Sequence, residues 1–353
     1  MDLMNKKDKP TVFSGVQPTG NLHLGNYLGA LTQWVAMQDE YNSIFCVVDY
    51  HAITVKQDPE KLNQQILDTV KIYLASGINP EKSIIFQQSD ISAHTELAWI
   101  LNCIARVADL NKMTQFKEKA GKDKKTISVG LYDYPILMAA DILLYDTDAV
   151  PVGEDQVQHV ELTRTLAQRF NREFGQVFKI PEVIIKKQGA RIMGLDDPNK
   201  KMSKSASSSA NYIALTDVPE LASKKIKRAV TDSGSEIKYQ PIRKPAIANL
   251  LVIYSLLTGL TIKELENKYQ SKGPAYASSS AKATVDKEAS AGKYSELKKD
   301  LAAIVSKFLT QFQIKYNSFK DDEVKRILKD GAEKVRPIAE EKLKLVKSKL
   351  GIN

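Results

Sequence analysis

"TVFSGVQPTGNLHLGNYLGALTQWVAMQDEYNSIFCVVDY", residues 11–50, holds two short apolar runs with a helical pattern between them. The runs at 11–16 and 43–50 are continuously apolar rather than alternating, as expected of strands that helices cover on both faces. The stretch between them, "GNYLGALTQWVAMQDEY" at 25–41, repeats its apolar residues at helical spacing. Strand, helix and strand within 40 residues predict a parallel βαβ unit.

The same alternation continues outward. "PEKLNQQILDTVKIYLASG" at 59–77 reads as a helix closed by Gly77, "SIIFQQ" at 83–88 as a strand, "HTELAWILNCIA" at 94–105 as a helix, and "DAVPVG" at 148–153 as a further strand. The fold class this predicts is α/β, a Rossmann-like doubly wound parallel sheet. From about residue 215 the pattern is helical alone, so a C-terminal all-helical domain follows. The expected division is residues 1–195 for the catalytic domain, with a connecting helical insertion at about 106–140, and 196–353 for the helical part. The low-complexity run "AYASSSAKATVDKEASAG" at 275–292 reads as a connection. Pro337 is expected to kink or split the last helix.

Composition narrows the classes. The chain has 353 residues, 43% of them apolar, enough to bury a real core. The N-terminal "MDLMNKKDKP" lacks the apolar stretch of a secretory signal, and "AIANLLVIYSLLTGL" at 246–260 is shorter than the ~20 residues that span a bilayer. No membrane association is expected. Cys46 and Cys103 lie in apolar surroundings without CxxC spacing, which predicts buried free thiols and a reducing compartment, the cytoplasm. The net charge of +9 is compatible with a polyanionic partner.

Open α/β sheets bind ligands beyond the carboxyl ends of their strands. After the first strand comes "TGNLHLGNY", whose Gly20 and Gly25 are spaced like a P-loop but are followed by Asn26 and Tyr27 instead of Lys and Ser/Thr. The turn still offers backbone N–H groups, a helix N-terminus, and the donors His23 and Asn26, a setting for phosphate. Taken alone, His23 is equally a histidine in a tight turn. "NKKMSKSASSS" at 199–209 has, by composition alone, the character of a flexible linker. Asp141, in "LMAADILLY", is an acid among aliphatic residues and needs a partner: a substrate N–H, a protein cation or a helix cap. Asp155 and His159 stand four apart like metal ligands, but no third ligand lies nearby.

Two of these stretches also resemble known signatures. His23-Leu24-Gly25-Asn26 is similar to the "HIGH" motif of class I aminoacyl-tRNA synthetases, and Lys201-Met202-Ser203-Lys204-Ser205 matches the second motif of that class letter for letter. "FSGVQPTG", "VVDYHAIT", "RVADLNKMTQFKEK", "LMAADILLYDTDAVPVGEDQVQHVELTRTLAQRFN" and "IKRAVTDS" resemble the bacterial tryptophanyl branch of the class. The likeness is dense from residue 12 to about 260. It departs where "ASSSA" at 206–210 replaces an acidic, proline-containing turn, and at 275–292, which is longer and less regular than in the family.

The resemblance implies an activity. L-tryptophan would attack the α-phosphorus of ATP, carried with Mg²⁺, and the aminoacyl group would then pass to the 3′ end of tRNA(Trp), with no covalent enzyme intermediate. His23, Asn26, Lys119, Lys201 and Lys204 would stabilise charge on the phosphates, the lysines of the Ser-rich stretch closing on them as a mobile loop. Gln17, Gly25, Gly153, Asp155, Ile192, Met202 and Ser203 would complete the ATP site. Phe13, Gly15, His51, Tyr134, Met138, Val150, Val152 and Gln156 would surround tryptophan, with Asp141 accepting from the indole N–H. "KKIKR" and "EKLKLVKSKL" would hold the tRNA backbone, and a homodimer is expected. The close alternative is a tyrosyl-tRNA synthetase, since a buried acid could take a phenol O–H as well. A small-molecule nucleotidylyltransferase would not explain the helical appendage, and a non-catalytic RNA-binding paralogue would be expected to have lost His23 or the lysines.

Overall fold

The computed structural model describes residues 9–20, 22–113, 128–185, 191–204, 206, 208–234, 236–270 and 282–352, with side chains from 292 in the last of these. Five parallel strands form one sheet in the order β3-β2-β1-β4-β5. They are β1 (Thr11–Val16), β2 (Asn42–Val47), β3 (Ser83–Gln87), β4 (Ala149–Val152) and β5 (Glu182–Ile185). The chain winds outward from β1 to β3 on one side and through β4 to β5 on the other, so the strand order reverses between β1 and β4. The doubly wound parallel sheet is the architecture that the apolar runs dictate.

Both faces of the sheet are covered because successive side chains alternate. Phe13, Ile44, Cys46, Ile84 and Phe86 enter the main apolar cluster, together with Leu97, Leu101, Ile136, Ala140, Val160 and Leu166 from helices Ala93–Asn102, Val129–Leu143 and Val157–Phe174. Phe45 points the other way and stacks on Trp34 at 4.7 Å, with Tyr73 edge-on to the same indole at 5.5 Å. Helix Pro59–Ser76 ends at Gly77, whose φ of 105° is open to glycine at little cost.

The C-terminal helix, Asp321–Leu350, packs on the edge strand β3 and shields it. Its Gly331 sits so close that an added Cβ would fall 1.8 Å from Ile85 O. Lys71 pairs with Asp321 at 2.6 Å, while the buried Lys342 pairs with Asp146 at 2.6 Å and donates to Val177 O at 2.9 Å. Pro337 lies inside this helix, which runs on through it, so of the kink or split expected there the split does not occur. A proline inside a helix, through its lost hydrogen bond and ring clash together, costs ~3 kcal/mol, whereas Val324, Leu328, Val335, Leu343 and Val346 are buried along the helix, each contributing roughly 1.5–3 kcal/mol.

Two compact units result. One comprises residues 1–20, 32–186 and 317–353, the other 21–31 and 187–316. Compactness therefore does not follow chain order as the sequence division had it: the His23 turn belongs to the second unit and the last helix to the first. The second unit contains helices Pro219–Arg228, Pro245–Thr258, Ile262–Gln270 and most of Lys282–Ser318. The expected single helix at 25–41 is instead a short turn Leu24–Asn26, a π-helical turn Tyr27–Leu31 and helix Thr32–Met37, broken where the chain passes between units. Cys46 is buried and free as expected, but Cys103 is free and exposed, since it follows Trp99 on the outward face of its helix. No single helix among the described residues is long and apolar enough to cross a membrane.

Candidate functional site

The candidate residues separate into two groups, one in each unit. In the second unit, the turn after β1 docks by backbone: Leu24 N donates to Ile213 O at 2.8 Å and Leu215 N to Leu22 O at 2.9 Å. His23 caps the turn. Its Nδ1 accepts from Asn26 N at 3.3 Å, while Asn26 Oδ1 accepts from His23 N at 3.0 Å. Gly25 is required by space, since a Cβ there would lie 2.9 Å from His23 Nδ1.

His23 is 7% exposed, and its pKa is lowered to about 4 by burial first, then by the charges of Lys201 and Lys204. The ring is therefore neutral at pH 7, and because Nδ1 accepts, its proton sits on Nε2 as a donor. Both lysines of the second signature thus act electrostatically on the histidine of the first. Enough protein surrounds the Lys204 ammonium to lower its pKa by desolvation, although its side chain is exposed.

The Ser-rich stretch is not a free linker in its described part. Met202 is buried and its N donates to Ile192 O at 2.9 Å, and Gly194 N donates to Lys200 O at 2.8 Å. Asn211 accepts from Ser203 N at 2.9 Å through Oδ1 and donates to Asp196 Oδ1 at 2.5 Å. Asn249 brackets Met193 with two bonds of 2.9 Å. Asn211, Asp196 and Asn249 were missed in the sequence, where nothing marks an amide that serves a distant backbone. Lys119 and Ser205 lie outside the described residues.

In the first unit the other group gathers at β1, β4 and the helices beside them. Phe13 is buried and stacks on Tyr145 at 5.6 Å, and a Cβ on Gly15 would meet Val48 Cγ1 at 2.8 Å. Val150 belongs to the main core, with Met138 and Val152 at its margin. Tyr134 OH pairs with His159 Nε2 at 2.9 Å, and His51 lies edge-on to Tyr134 at 6.0 Å. Gly153, Asp155 and Gln156 form the turn into helix Val157–Phe174: Gln156 N donates to Gly153 O at 2.9 Å, and Gln156 Nε2 to Asp155 Oδ2 at 3.2 Å. Gln17 is half-buried just beyond β1.

Asp141, 1% exposed, was expected to need a partner, whether a substrate N–H, a protein cation or a helix cap, and the protein itself supplies three. Its Oδ1 accepts from Gln88 Nε2 at 2.7 Å and from His94 Nδ1 at 2.7 Å, and its Oδ2 accepts from His51 Nε2 at 2.9 Å. Burial pushes this carboxyl up, but the hydrogen bonds and charges of His51 and His94 outweigh it and hold the group well below the usual carboxylate range. Gln88 and His94 were not found in the sequence, as they come from segments 53 and 47 residues away. Among the described residues no group of three His, Cys, Asp or Glu side chains could hold a metal ion.

Two lysines from the expected RNA-binding runs are engaged inside the protein. Lys225 of "KKIKR" donates to Tyr212 O at 2.8 Å and pairs with Asp217 at 2.7 Å, and Lys342 of "EKLKLVKSKL" is the buried partner of Asp146.

The sequence pattern of the family described as tRNA synthetases class I (W and Y) matches residues 4–310. The tryptophan–tRNA ligase of Caldanaerobacter subterraneus subsp. tengcongensis is 51% identical over 341 residues, covering 97% of this chain and 98% of that protein. A crystal structure of tryptophanyl-tRNA synthetase from Mycoplasma pneumoniae, 33% identical, superposes with a TM-score of 0.85 over 98% of each chain. That from Campylobacter jejuni, described as complexed with ADP and tryptophan, is 35% identical with a TM-score of 0.77, over 97% of this chain and all of the other.

Proposed function

The chain belongs to the class I tRNA synthetases of the tryptophan and tyrosine kind, and from that premise we infer the reaction it catalyses and the part each residue takes. It is an aminoacyl-tRNA ligase: it uses ATP to activate L-tryptophan as tryptophanyl-adenylate and transfers the aminoacyl group to tRNA(Trp). The observation that supports the chemistry is that the two signatures meet: a Cβ on Gly25 would lie 3.5 Å from Met202 Cβ, and Lys201 and Lys204 act electrostatically on the neutral His23, one donor and two cations suited to a polyphosphate.

In the first step the tryptophan carboxylate attacks the α-phosphorus and pyrophosphate leaves. Catalysis of this kind rests on positioning and on donors aimed at developing charge. His23 gives its Nε2–H and Asn26 its Nδ2 group, since Asn26 Oδ1 is spent on the turn. Lys201 and Lys204 take the charge of the leaving pyrophosphate, with Lys119 a third cation. Gln17, Gly25, Gly153, Asp155, Ile192, Met202 and Ser203 hold the rest of ATP. Phe13, Gly15, His51, Tyr134, Met138, Val150, Val152 and Gln156 surround the amino acid, and Asp141 accepts the indole N–H. Mg²⁺ is carried on the ATP phosphates rather than in a carboxylate cage, as suits an ion that keeps most of its waters.

Substrates of this kind, ATP and tRNA, support a cytoplasmic location. The helical part from 196 onward carries tRNA contacts, with Lys225 and Lys342 excepted. A homodimer is supported by exposed apolar side chains of the first unit, Trp99 at 71%, Val107 at 69% and Val129 at 80%. The test is exchange of labelled pyrophosphate into ATP across all amino acids. Tryptophan alone should stimulate exchange and be charged to tRNA(Trp), whereas stimulation by tyrosine in its place would reject the assignment.

A further inference from the structure

Asp141 is one link in a chain of buried side chains. Tyr145 OH lies 2.8 Å from His94 Nε2, and His94 Nδ1 lies 2.7 Å from Asp141 Oδ1. Gln88 Nε2 donates to the same oxygen at 2.7 Å, while Gln88 Oε1 accepts from Tyr50 N at 3.1 Å. That backbone contact fixes which end of the amide faces the carboxylate. Gln88 and His94 are wholly buried and Tyr145 is 2% exposed. Packing locks the rings: Phe86 stacks on His94 at 5.8 Å and meets Tyr145 edge-on at 5.8 Å, and Phe13 stacks on the other ring of the pair, Tyr145.

The protonation logic is the same in either state of His94. If the ring is neutral and Tyr145 donates to Nε2, the single imidazole proton sits on Nδ1. If the ring is cationic, both nitrogens donate. Nδ1 faces Asp141 as a donor in both cases. Burial, first, and the nearby charges of Cys46 and Asp141 push the Tyr145 phenol up, so it remains a protonated donor. Oδ1 of Asp141 then holds two donors and is filled. Among the described residues Oδ2 accepts only from His51, which leaves it one acceptor position.

We propose that Tyr145, His94 and Gln88 are positioning residues that occupy one oxygen of Asp141 and orient the other, and so set the preference for an amino acid carrying a ring N–H. The proposal rests on the reading that Asp141 accepts that N–H. None of the three needs to touch the substrate. A carboxylate free to rotate could present either oxygen or turn both toward protein donors, and selection by an N–H would weaken. A site built to hydrogen-bond a substrate N–H rejects an isostere lacking it because its own buried acceptor is left unpaired.

The readout is the ratio of kcat/KM for tryptophan to that for 3-benzothienylalanine, which has sulfur in place of N–H, measured by pyrophosphate exchange. Tyr145→Phe keeps the ring and its stack on Phe13. It and His94→Leu should lower the ratio roughly tenfold or more, the value of one misdirected bond to a charged group. The loss should fall on the KM for tryptophan and leave the KM for ATP in place. His94→Asn, whose amide can replace the Nδ1 donor, should recover part of the ratio. Loss of stability alone would lower both rates together and leave the ratio as in the parent, which would overturn the proposal. Asp141→Asn separates the two layers. If it collapses the ratio while Tyr145→Phe and His94→Leu do not, the relay is wrong and the reading of Asp141 stands. If Asp141→Asn also leaves the ratio unchanged, both fall.

Discussion

His23 is held neutral by burial and by two neighbouring ammonium groups, and this has a cost that depends on pH. Its folded pKa of about 4 lies below the ordinary 6.5, so the unfolded chain binds the proton more readily. Stability is complete above pH 6.5 and is lost as pH falls toward 4, by roughly 2–3 kcal/mol at ~1.4 kcal/mol per unit. Urea unfolding at pH 7, 5 and 4 should show that His23→Gln loses less stability over this window than the parent, and parallel curves would count against it. The lysines give a kinetic counterpart: Lys201→Ala or Lys204→Ala should each slow pyrophosphate exchange ~10²-fold or more, with little change in the KM for tryptophan. At this scale the sequence drew attention to residues whose type is out of place, a carboxylate among aliphatics at Asp141 and a histidine between glycines at His23, and both are buried and hydrogen-bonded in the fold. It could not mark partners that arrive through folding. Gln88 and His94 reach Asp141 from 53 and 47 residues away, and each is ordinary in its own neighbourhood.

Among elements, the strands were legible because continuous apolar runs have one stable use in an α/β chain. The destination of the C-terminal helix was not, because an amphipathic helix shows which face it buries but not against what. Gly331 gives that contact a sharp test. A Cβ would meet Ile85 O at 1.8 Å and Ile85 C at 2.7 Å, and backbone cannot swing aside as a flexible side chain does. Helix propensity favours Ala over Gly by ~1 kcal/mol, yet overpacking costs ~1–3 kcal/mol and can exceed it when helix and strand must separate. Gly331→Ala should therefore be net destabilising by about 1–2 kcal/mol in urea unfolding. Lys334→Ala, an exposed change on the same helix, should stay within ~0.5 kcal/mol. A stabilised Gly331→Ala would mean that the helix does not press on β3. The same packing explains why Pro337 does not split the helix: the ~3 kcal/mol that an interior proline costs is outweighed by the apolar seam.

For the whole molecule, chain order is a poor guide to what folds with what. The turn at 21–31 joins the second unit because its backbone bonds run to Ile213 and Leu215, contacts that composition and periodicity do not encode. Surface character is easier to argue once the fold is known. Trp99, Val107 and Val129 stand on helices Ala93–Asn102, Val107–Leu110 and Val129–Leu143, which pack together in the first unit. Ile53 and Val55, 57% and 50% exposed, flank Thr54, whose carbonyl accepts from the Ser128 hydroxyl beside Val129 at 2.8 Å. Exposed apolar residues carried on elements that touch one another are of the kind that subunit contacts cover, and such an interface needs roughly 800 Å² from each partner. A carboxylate set at its most exposed aromatic would have to be desolvated without a partner, at a cost of several kcal/mol in each of two symmetric copies. Sedimentation velocity should accordingly find the parent at twice the 39.4 kDa chain mass and Trp99→Glu at the mass of one chain. An unchanged dimer would place the interface elsewhere. If the variant is monomeric, an unaltered urea midpoint for its first unit would show that the tryptophan served association rather than folding.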